Sequence, residues 1–456
     1  MFKMNKKIKG SKNLNVPNKG EQSQTCLGSA ERKEQSPQGN VPNKRAQSQV
    51  YLNYAEHEEH LHKENVPNLR FPEFSKSYSQ TTISKLATIV GGGTPDTTVQ
   101  EYWNGGIQWF TPSEIGKKKY ADKSERTISR EGLSNSSAKL LPINTILLST
   151  RATIGESSIA KVECCTNQGF QSLIANEEIV CYEYLYYLVA TLKKELIRKS
   201  CGSTFLEISA NEVRKIKTFV PSLDEQSKVS SLLSLIDDRI ATQIKIIEKL
   251  ESLIKGIVET HYSQCDCTKQ VRISELGEAF TTMNMSKEDL SEEGNECILY
   301  GELFTTYGCV IKEVKSRTHI STDKATTSQS NDLLFPASTT VDAMSLIAPS
   351  AICKEGVILG GDLFGVHVNK NYNNEYLSYL INYIYKSKLA RYAQGSTIIH
   401  LHYSDIKNAT LLLPTIEEQN YLAHLMRGVE EKINIEKDML SKLYSQKAYL
   451  LSNLFI

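Results

Sequence analysis

A repeat at one constant offset of 193 residues limits what this chain can fold into more than any other feature. Gly202-Ser203-Thr204 returns as Gly395-Ser396-Thr397, and Pro221 with Asp224-Glu225-Gln226 returns as Pro414 with Glu417-Glu418-Gln419. A long helical pattern follows each copy. After Pro221, apolar residues fall at Val229, Leu233, Ile236, Ile240, Ile247, Leu250, Ile254 and Ile257, in steps of four and three, with Gln243 in the one missing place. That is a heptad seam. The same places in the second copy hold Leu422, Met426, Val429, Ile433, Glu436, Leu440, Leu443, Lys447 and Leu450, so the polar interruption recurs at Glu436. A stripe this narrow needs a partner helix, and the two stripes are each other's simplest partner.

Chain length then sets direction. A helix from Asp224 to Tyr262 is about 58 Å long, whereas the connector from Ser263 to Gln270 reaches at most about 28 Å. The second globular unit therefore begins at the far end of the first helix, and the second helix runs back. The expected fold class is α+β: two pseudo-repeated domains, or heads, joined by two long antiparallel helices that form a coiled coil. Gln243 and Glu436 are the midpoints of their seams. They are predicted to face one another near an approximate two-fold axis and to fix register at some cost in stability.

The remaining sequence divides around this frame. Residues 1–65 are rich in Asn, Gln, Ser, Lys and Glu and carry Asn-Val-Pro-Asn three times, at 15, 40 and 65. They are expected to be a disordered leader, with His57, His60 and His62 a solvated polar segment rather than a metal site. The first head, 66–222, holds short β-like runs such as Ile107-Gln108-Trp109-Phe110 and Thr145-Ile146-Leu147-Leu148, and one helix from Tyr182 to Lys199. The first long helix covers 223–264. The second head, 265–414, repeats the plan: Ile83-Ser84-Lys85-Leu86 returns as Ile273-Ser274-Glu275-Leu276, and a helix from Glu375 to Ala393 answers the earlier one. The second long helix covers 415–456. Between the matches the two halves differ strongly.

Composition removes several classes. Hydrophobic residues make up 40% of the chain and charged residues 23%, enough for sizeable cores. No run of 18 apolar residues predicts a membrane span, and the basic amino terminus lacks the apolar stretch of a secretory signal. Ten scattered cysteines are expected as reduced thiols in a cytoplasmic protein. A net charge of +1 excludes a globally basic nucleic-acid binder, so any DNA contact must rest on local charge.

Catalytic patterns are missing. Gly91-Gly92-Gly93-Thr94-Pro95 has neither the Lys-Ser/Thr of a phosphate-binding loop nor dinucleotide-fold spacing. There is no Gly-x-Ser-x-Gly elbow and no His-Glu-x-x-His helix. Asp96, Glu101 and Glu114 lack the Glu-x-Lys partner of a nuclease site. The expectation is a binder and scaffold with no catalytic residue, metal or cofactor of its own.

Several runs together resemble a known family. Gly92-Gly93-Thr94-Pro95, Glu101-Tyr102-Trp103-Asn104-Gly105 and Ile107-Gln108-Trp109-Phe110-Thr111-Pro112-Ser113-Glu114-Ile115 resemble a target recognition domain of the specificity subunit of type I restriction-modification systems. So do Asn167-Gln168-Gly169-Phe170-Gln171, the stretch from Gly202 through Pro221 to Gln226, and the opening Leu69-Arg70-Phe71-Pro72-Glu73-Phe74. The resemblance spans about residues 66–456. The second half departs from it, with Thr281-Thr282-Met283-Asn284 and Tyr300-Gly301-Glu302-Leu303 where the first has Gly-Gly-Thr-Pro and Glu-Tyr-Trp-Asn-Gly.

The resemblance implies two target recognition domains, each reading one part of a split double-stranded DNA sequence, with the helix pair as a ruler for the unread gap. It implies two modification (methyltransferase) subunits as partners, with restriction subunits alongside. S-adenosylmethionine, ATP and Mg are then expected on the partners. Base readers and phosphate contacts are drawn from loop cations and amides. The candidates are Thr94, Gln108, Lys117, Lys118, Lys119, Arg126, Arg130 and Arg151 in the first head. In the second they are Lys312, Lys315, Arg317, Lys324 and Thr340. Lys117 to Lys119 with Tyr120 is expected to be a phosphate-gripping loop. The competing readings are a stand-alone fused methyltransferase-nuclease, a coiled-coil tether that never touches DNA, and a silent, swapped copy of a specificity subunit.

Overall fold

A computed structural model describes residues 65–202, 206–265 and 269–456. The expectations for the leader and its histidines, for Ser203-Thr204 and, among the ten cysteines, for Cys267 fall outside them. The two heads share one strand plan. In the first, Ser79–Thr82 pairs antiparallel with Lys217–Val220. A five-stranded sheet follows in the order Ala87–Gly91, Gln171–Ala175, Ile146–Leu148, Ser157–Ala160 and Tyr120–Ala121, antiparallel except for the last pair. The second head repeats this with Lys269–Arg272 against Thr410–Leu413, and with Gly277–Thr281, Leu363–Val368, Asp332–Pro336, Ser350–Ile352 and Val310–Ile311 in the same order and senses. Central strands such as Ile146–Leu148 and Asp332–Pro336 are buried throughout, which is why Ile146-Leu147-Leu148 and Leu333-Leu334-Phe335 read as continuous apolar runs.

A smaller sheet carries the differences. In the first head it has three strands, Arg126–Ile128, Trp103–Phe110 and Cys164–Thr166. In the second it has four, Leu290–Ser291, Ser316–Thr318, Asn295–Leu299 and Ile358–Gly360, and the two-residue strands Ser338–Thr339 and Ile399–His400 pair where the first head has a single bridge, Arg151 to Glu207. Both predicted head helices are interrupted. The first breaks at Leu192 into Tyr182–Thr191 and Lys193–Arg198, where the Leu192 N–H is shared between the Leu188 and Val189 carbonyls. The second passes from Asn374–Leu380 through a π-helical turn, Ile381–Tyr385. There Asn382 donates its side-chain amide to Pro349 O and Ser378 O, competing with the backbone ladder.

The long helices, Leu223–Gln264 and Ile416–Leu454, run antiparallel. Asp237 meets Lys447 at 2.5 Å, Gln243 meets Glu436, and Glu251 meets Lys437 at 3.0 Å, one index rising as the other falls. Each end of the pair belongs to a head's core. Val229 and Leu233 pack with Leu450, Leu454 and Phe455 in the first. Ile247, Ile254 and Val258 pack with Leu422, Met426 and Ile433 in the second. Seam residues Ile236, Leu250, Val429 and Leu440 are partly buried against these cores. At the midpoint Gln243 Nε2 donates to the Glu436 carboxylate and, at 3.2 Å, to its carbonyl. Lys432 and then Gln243 hold the Glu436 carboxyl below its ordinary range.

The Glu-Gln half of the repeat now has a physical role. Gln226 is fully buried; its amide donates to Pro221 O and Ile179 O, and its oxygen accepts from Cys181 N. Gln419, equally buried, donates to Pro414 O and accepts from Asn373 N. Each glutamine fastens the start of a long helix to the loop ahead of its head's helix, serving buried backbone groups that water cannot reach. The opening segment latches the same corner. Arg70 pairs with buried Glu225, and Leu69 N donates to Asn453 O near the end of the second long helix. No described helix is long and apolar enough to cross a membrane. Cys265 is disulfide-bonded, so the expectation of uniformly reduced thiols does not hold there.

Candidate nucleic-acid interface

The family-like runs of the first head converge on one group of loops. Trp103 and Trp109 meet edge to face at 5.1 Å, and their ring N–H groups donate to Asp96 O and Gly93 O. The tryptophans thus pin the glycine-rich loop. Gly92 lies so close to the neighbouring loop that a Cβ would sit 2.0 Å from Asn167 O, which excludes any larger residue. Thr94 Oγ1 donates to Gln168 Oε1 at 2.5 Å, and Thr150 N donates to Gly169 O. Thr153 Oγ1 donates to Pro112 O at 3.4 Å, so the loops around 94, 112, 151 and 168 lie together.

The carboxylates there serve the loops themselves. Glu114 accepts from Thr111 N and Glu125 N, and Asp96 accepts from Thr98 N and its hydroxyl, which lowers the Asp96 carboxyl pKa.

The candidate readers fall into two groups. Lys117 and Lys118 are exposed. Lys119 is not part of their surface: its ammonium pairs with Glu183 at 3.2 Å, donates to Ser234 of the first long helix at 2.9 Å and is only 9% exposed. The expected three-lysine grip is therefore left with two lysines, because the third is held between head and helix. Gln108 Oε1 accepts from Ser124 N and Oγ, tying the strand Trp103–Phe110 to the segment just ahead of Arg126–Ile128. Arg126 lies over Trp103 at 3.5 Å from the ring centroid, and Arg151 is held by Glu207 at 2.5 Å. Arg130 is exposed.

In the second head, Lys312 pairs with Glu431 of the second long helix at 3.1 Å, Lys315 with Glu313, and Arg317 donates to Gly294 O. Lys324 is exposed on a short 3-10 turn. Thr340 stands apart from these four, on a cleft of about 840 Å³ that also touches Tyr300, Phe304, Val341, Lys386 and Ile398. Sequence reasoning missed this cleft, whose walls come from segments far apart in the chain. It also missed Gln168 as the partner of Thr94, although the Asn-Gln-Gly-Phe-Gln run contains it.

The chain has clear relatives. The family model of the type I restriction modification DNA specificity domain matches residues 76–252 and again 268–444. The type I restriction enzyme MjaIX specificity subunit of Methanocaldococcus jannaschii is 37% identical over 182 residues, covering 39% of this chain and 42% of that protein. The EcoR124I/EcoR124II specificity subunit of Escherichia coli is 30% identical over 163 residues, covering 34% and 40%. The matched stretch thus spans about two fifths of the length of these curated relatives.

Among solved structures, the S subunit of a type I restriction-modification system from M. genitalium superimposes with a TM-score of 0.52 at 15% identity, covering 86% of this chain and 99% of that one. A chain from a structure concerned with complex assembly and conformational transition of the type I R-M system gives 0.53 at 14% identity, over 84% and 98%. Likeness at this identity speaks for the fold. The family match, occurring twice and covering well over half of the residues, shows that this chain belongs to the type I restriction-modification DNA specificity family.

Proposed function

We propose that this chain is the DNA-reading subunit of a type I restriction-modification enzyme: each head recognises one part of a bipartite duplex target, and the helix pair sets the gap between the parts. The observation that carries this reading is the pairing of one strand plan, used twice, with two unlike loop surfaces. Copies that served only packing would have no reason to differ in their loops while keeping their frames.

Modification subunits dock, in this reading, on the long helices and heads, with restriction subunits completing the enzyme. A second, exposed stripe at heptad spacing supports a helical partner there. It holds Leu235, Ile246 and Leu253 on the first helix, and Tyr421, Leu425, Ile435 and Met439 on the second. S-adenosylmethionine, ATP and magnesium belong to those partners, and the chain itself contributes no catalytic group. Mapping methylated adenines in DNA from cells with and without the chain tests the proposal. A split motif with an unread gap is expected only in its presence, and the same motif in its absence contradicts the reading.

A further inference from the structure

The internal repeat reaches beyond the motifs that first reveal it. Lys193, Leu196 and Arg198 recur as Lys386, Leu389 and Arg391, again 193 residues on, in the helical stretches that lead toward the two Gly-Ser-Thr loops. The described residues that flank the two Gly-Ser-Thr runs are joined in the same way. In the second head Gln394 and His400 exchange backbone hydrogen bonds of 2.9 and 2.7 Å, and Leu401 N reaches Ala337 O at 2.9 Å. In the first, Cys201 and Glu207 exchange bonds of 2.9 and 3.0 Å, and Ile208 N reaches Thr150 O at 3.1 Å. Gly202 and Gly395 both have positive φ, 135° and 117°, and a Cβ on Gly395 would lie 2.0 Å from Ile398 O. The closure therefore demands glycine.

The segment clipped to the second loop runs longer than its counterpart in the first head, which passes from Thr150 to the next sheet strand at Ser157. From Ala337 to Ser350 the chain makes a long excursion that forms one lip of the 840 Å³ cleft. Val341, 70% exposed, and Ile398, 49% exposed, stand on that cleft beside Thr340. Lys386 lines it, and neither Lys386 nor Arg391 enters an ion pair with another described residue. Their mates Lys193 and Arg198 rest on Glu156 and Glu195 in exposed pairs, which hold weakly.

Two heads that read different half-sites have no use for identical base readers. Shared exposed cations suit what all duplexes share, the phosphate backbone, and residues that differ at the same place suit the bases. Threonine hydroxyls suit base-edge donors and acceptors, and branched aliphatics suit the thymine methyl. We propose that Lys386 and Arg391, beside the Gly395 loop, grip the DNA phosphates of the second half-site, and that Thr340, Val341 and Ile398 at the cleft mouth read its bases. This rests on the DNA-reading role given above.

The test uses the chain assembled with its methyltransferase subunits and a fluorescent mixed-sequence duplex in a salt series. K386A/R391A is expected to weaken binding and to make the slope of log K against log[salt] shallower by about two, at an unchanged unfolding midpoint, with K386R/R391K restoring the slope. An unchanged slope in the alanine pair, or a slope lost equally in K386R/R391K, overturns the grip. In methylation mapping, V341A/I398A is expected to relax one half-site and leave the other half-site and the gap intact. Relaxation of neither half-site, or of both, overturns the base-reading assignment. Failure of the unaltered complex to bind the duplex would instead sink the DNA-reading role itself.

Discussion

The two junctions between heads and long helices are built to one pattern but charged differently. In the first, Tyr187 donates its hydroxyl to Asp237 at 2.7 Å, and Lys447 reaches across from the other helix to Asp237 at 2.5 Å. In the second, Glu430 holds the place of Asp237 one repeat later and faces Tyr379, but the place of Lys447 is taken by Ile254. Without that cation, burial pushes the Glu430 carboxyl above its ordinary range, and the Tyr379 hydroxyl and Lys312 draw it back only in part. Lys447 breaks the apolar seam because it is the counter-ion of one junction. A duplicated frame is free to diverge wherever a junction supplies its own charge balance, and the entry corners diverge likewise. Glu225 is buried against Arg70, whereas Glu418 caps its own helix through Thr415 N.

Four substitutions probe this contrast. Arg70→Ala leaves Glu225 buried and unpaired, and urea unfolding should show a loss of about 3 kcal/mol; a loss no larger than that of an exposed pair would remove the latch from the account. Lys447→Met strips Asp237 of its cation and should cost about 2 kcal/mol in the same assay, and a neutral result would make the junctions equivalent. Thr415→Ala removes a side-chain cap and should cost about 1 kcal/mol, which distinguishes the second entry corner from the first.

The smallest effect is Glu430→Gln, and it depends on pH. A carboxyl whose folded pKa is raised gives stability that is fully present below the unfolded value of about 4.3 and is lost as pH rises through the folded value. The wild type should therefore lose stability relative to Glu430→Gln on going from acid toward neutral pH. A flat difference across that range contradicts the burial argument.

How much of this was legible depended on distance along the chain. The seams, their antiparallel pairing and the meeting of Gln243 with Glu436 follow from spacing, helix rise and connector length, all of which a sequence states. The repeat of the strand plan was partly legible through buried runs such as Ile146–Leu148, whereas the order of the strands in the sheet was not. Side-chain destinations were not. Lys119 looks like its two neighbours in sequence, yet its fate is set by Glu183, 64 residues away, and Ser234, 115 away. Gln108 and Arg126 likewise spend their polar groups on the sheet and on Trp103. The second-head cleft joins segments from Tyr300 to His400, and no local pattern announces such a surface. The π-helical turn at Asn382 escaped for the same reason, since the Pro349 carbonyl that Asn382 binds is 33 residues away.

The central claim is that the helix pair measures the distance between two reading heads. Adding one heptad to each long helix, after Gln243 and before Glu436, keeps these two residues opposed and the seam in phase and lengthens the pair by about 10 Å, near three base pairs of duplex. Methylation mapping should then return both half-sites unchanged with a gap longer by about three base pairs. A functional variant whose gap stays the same would show that something other than these helices sets the separation.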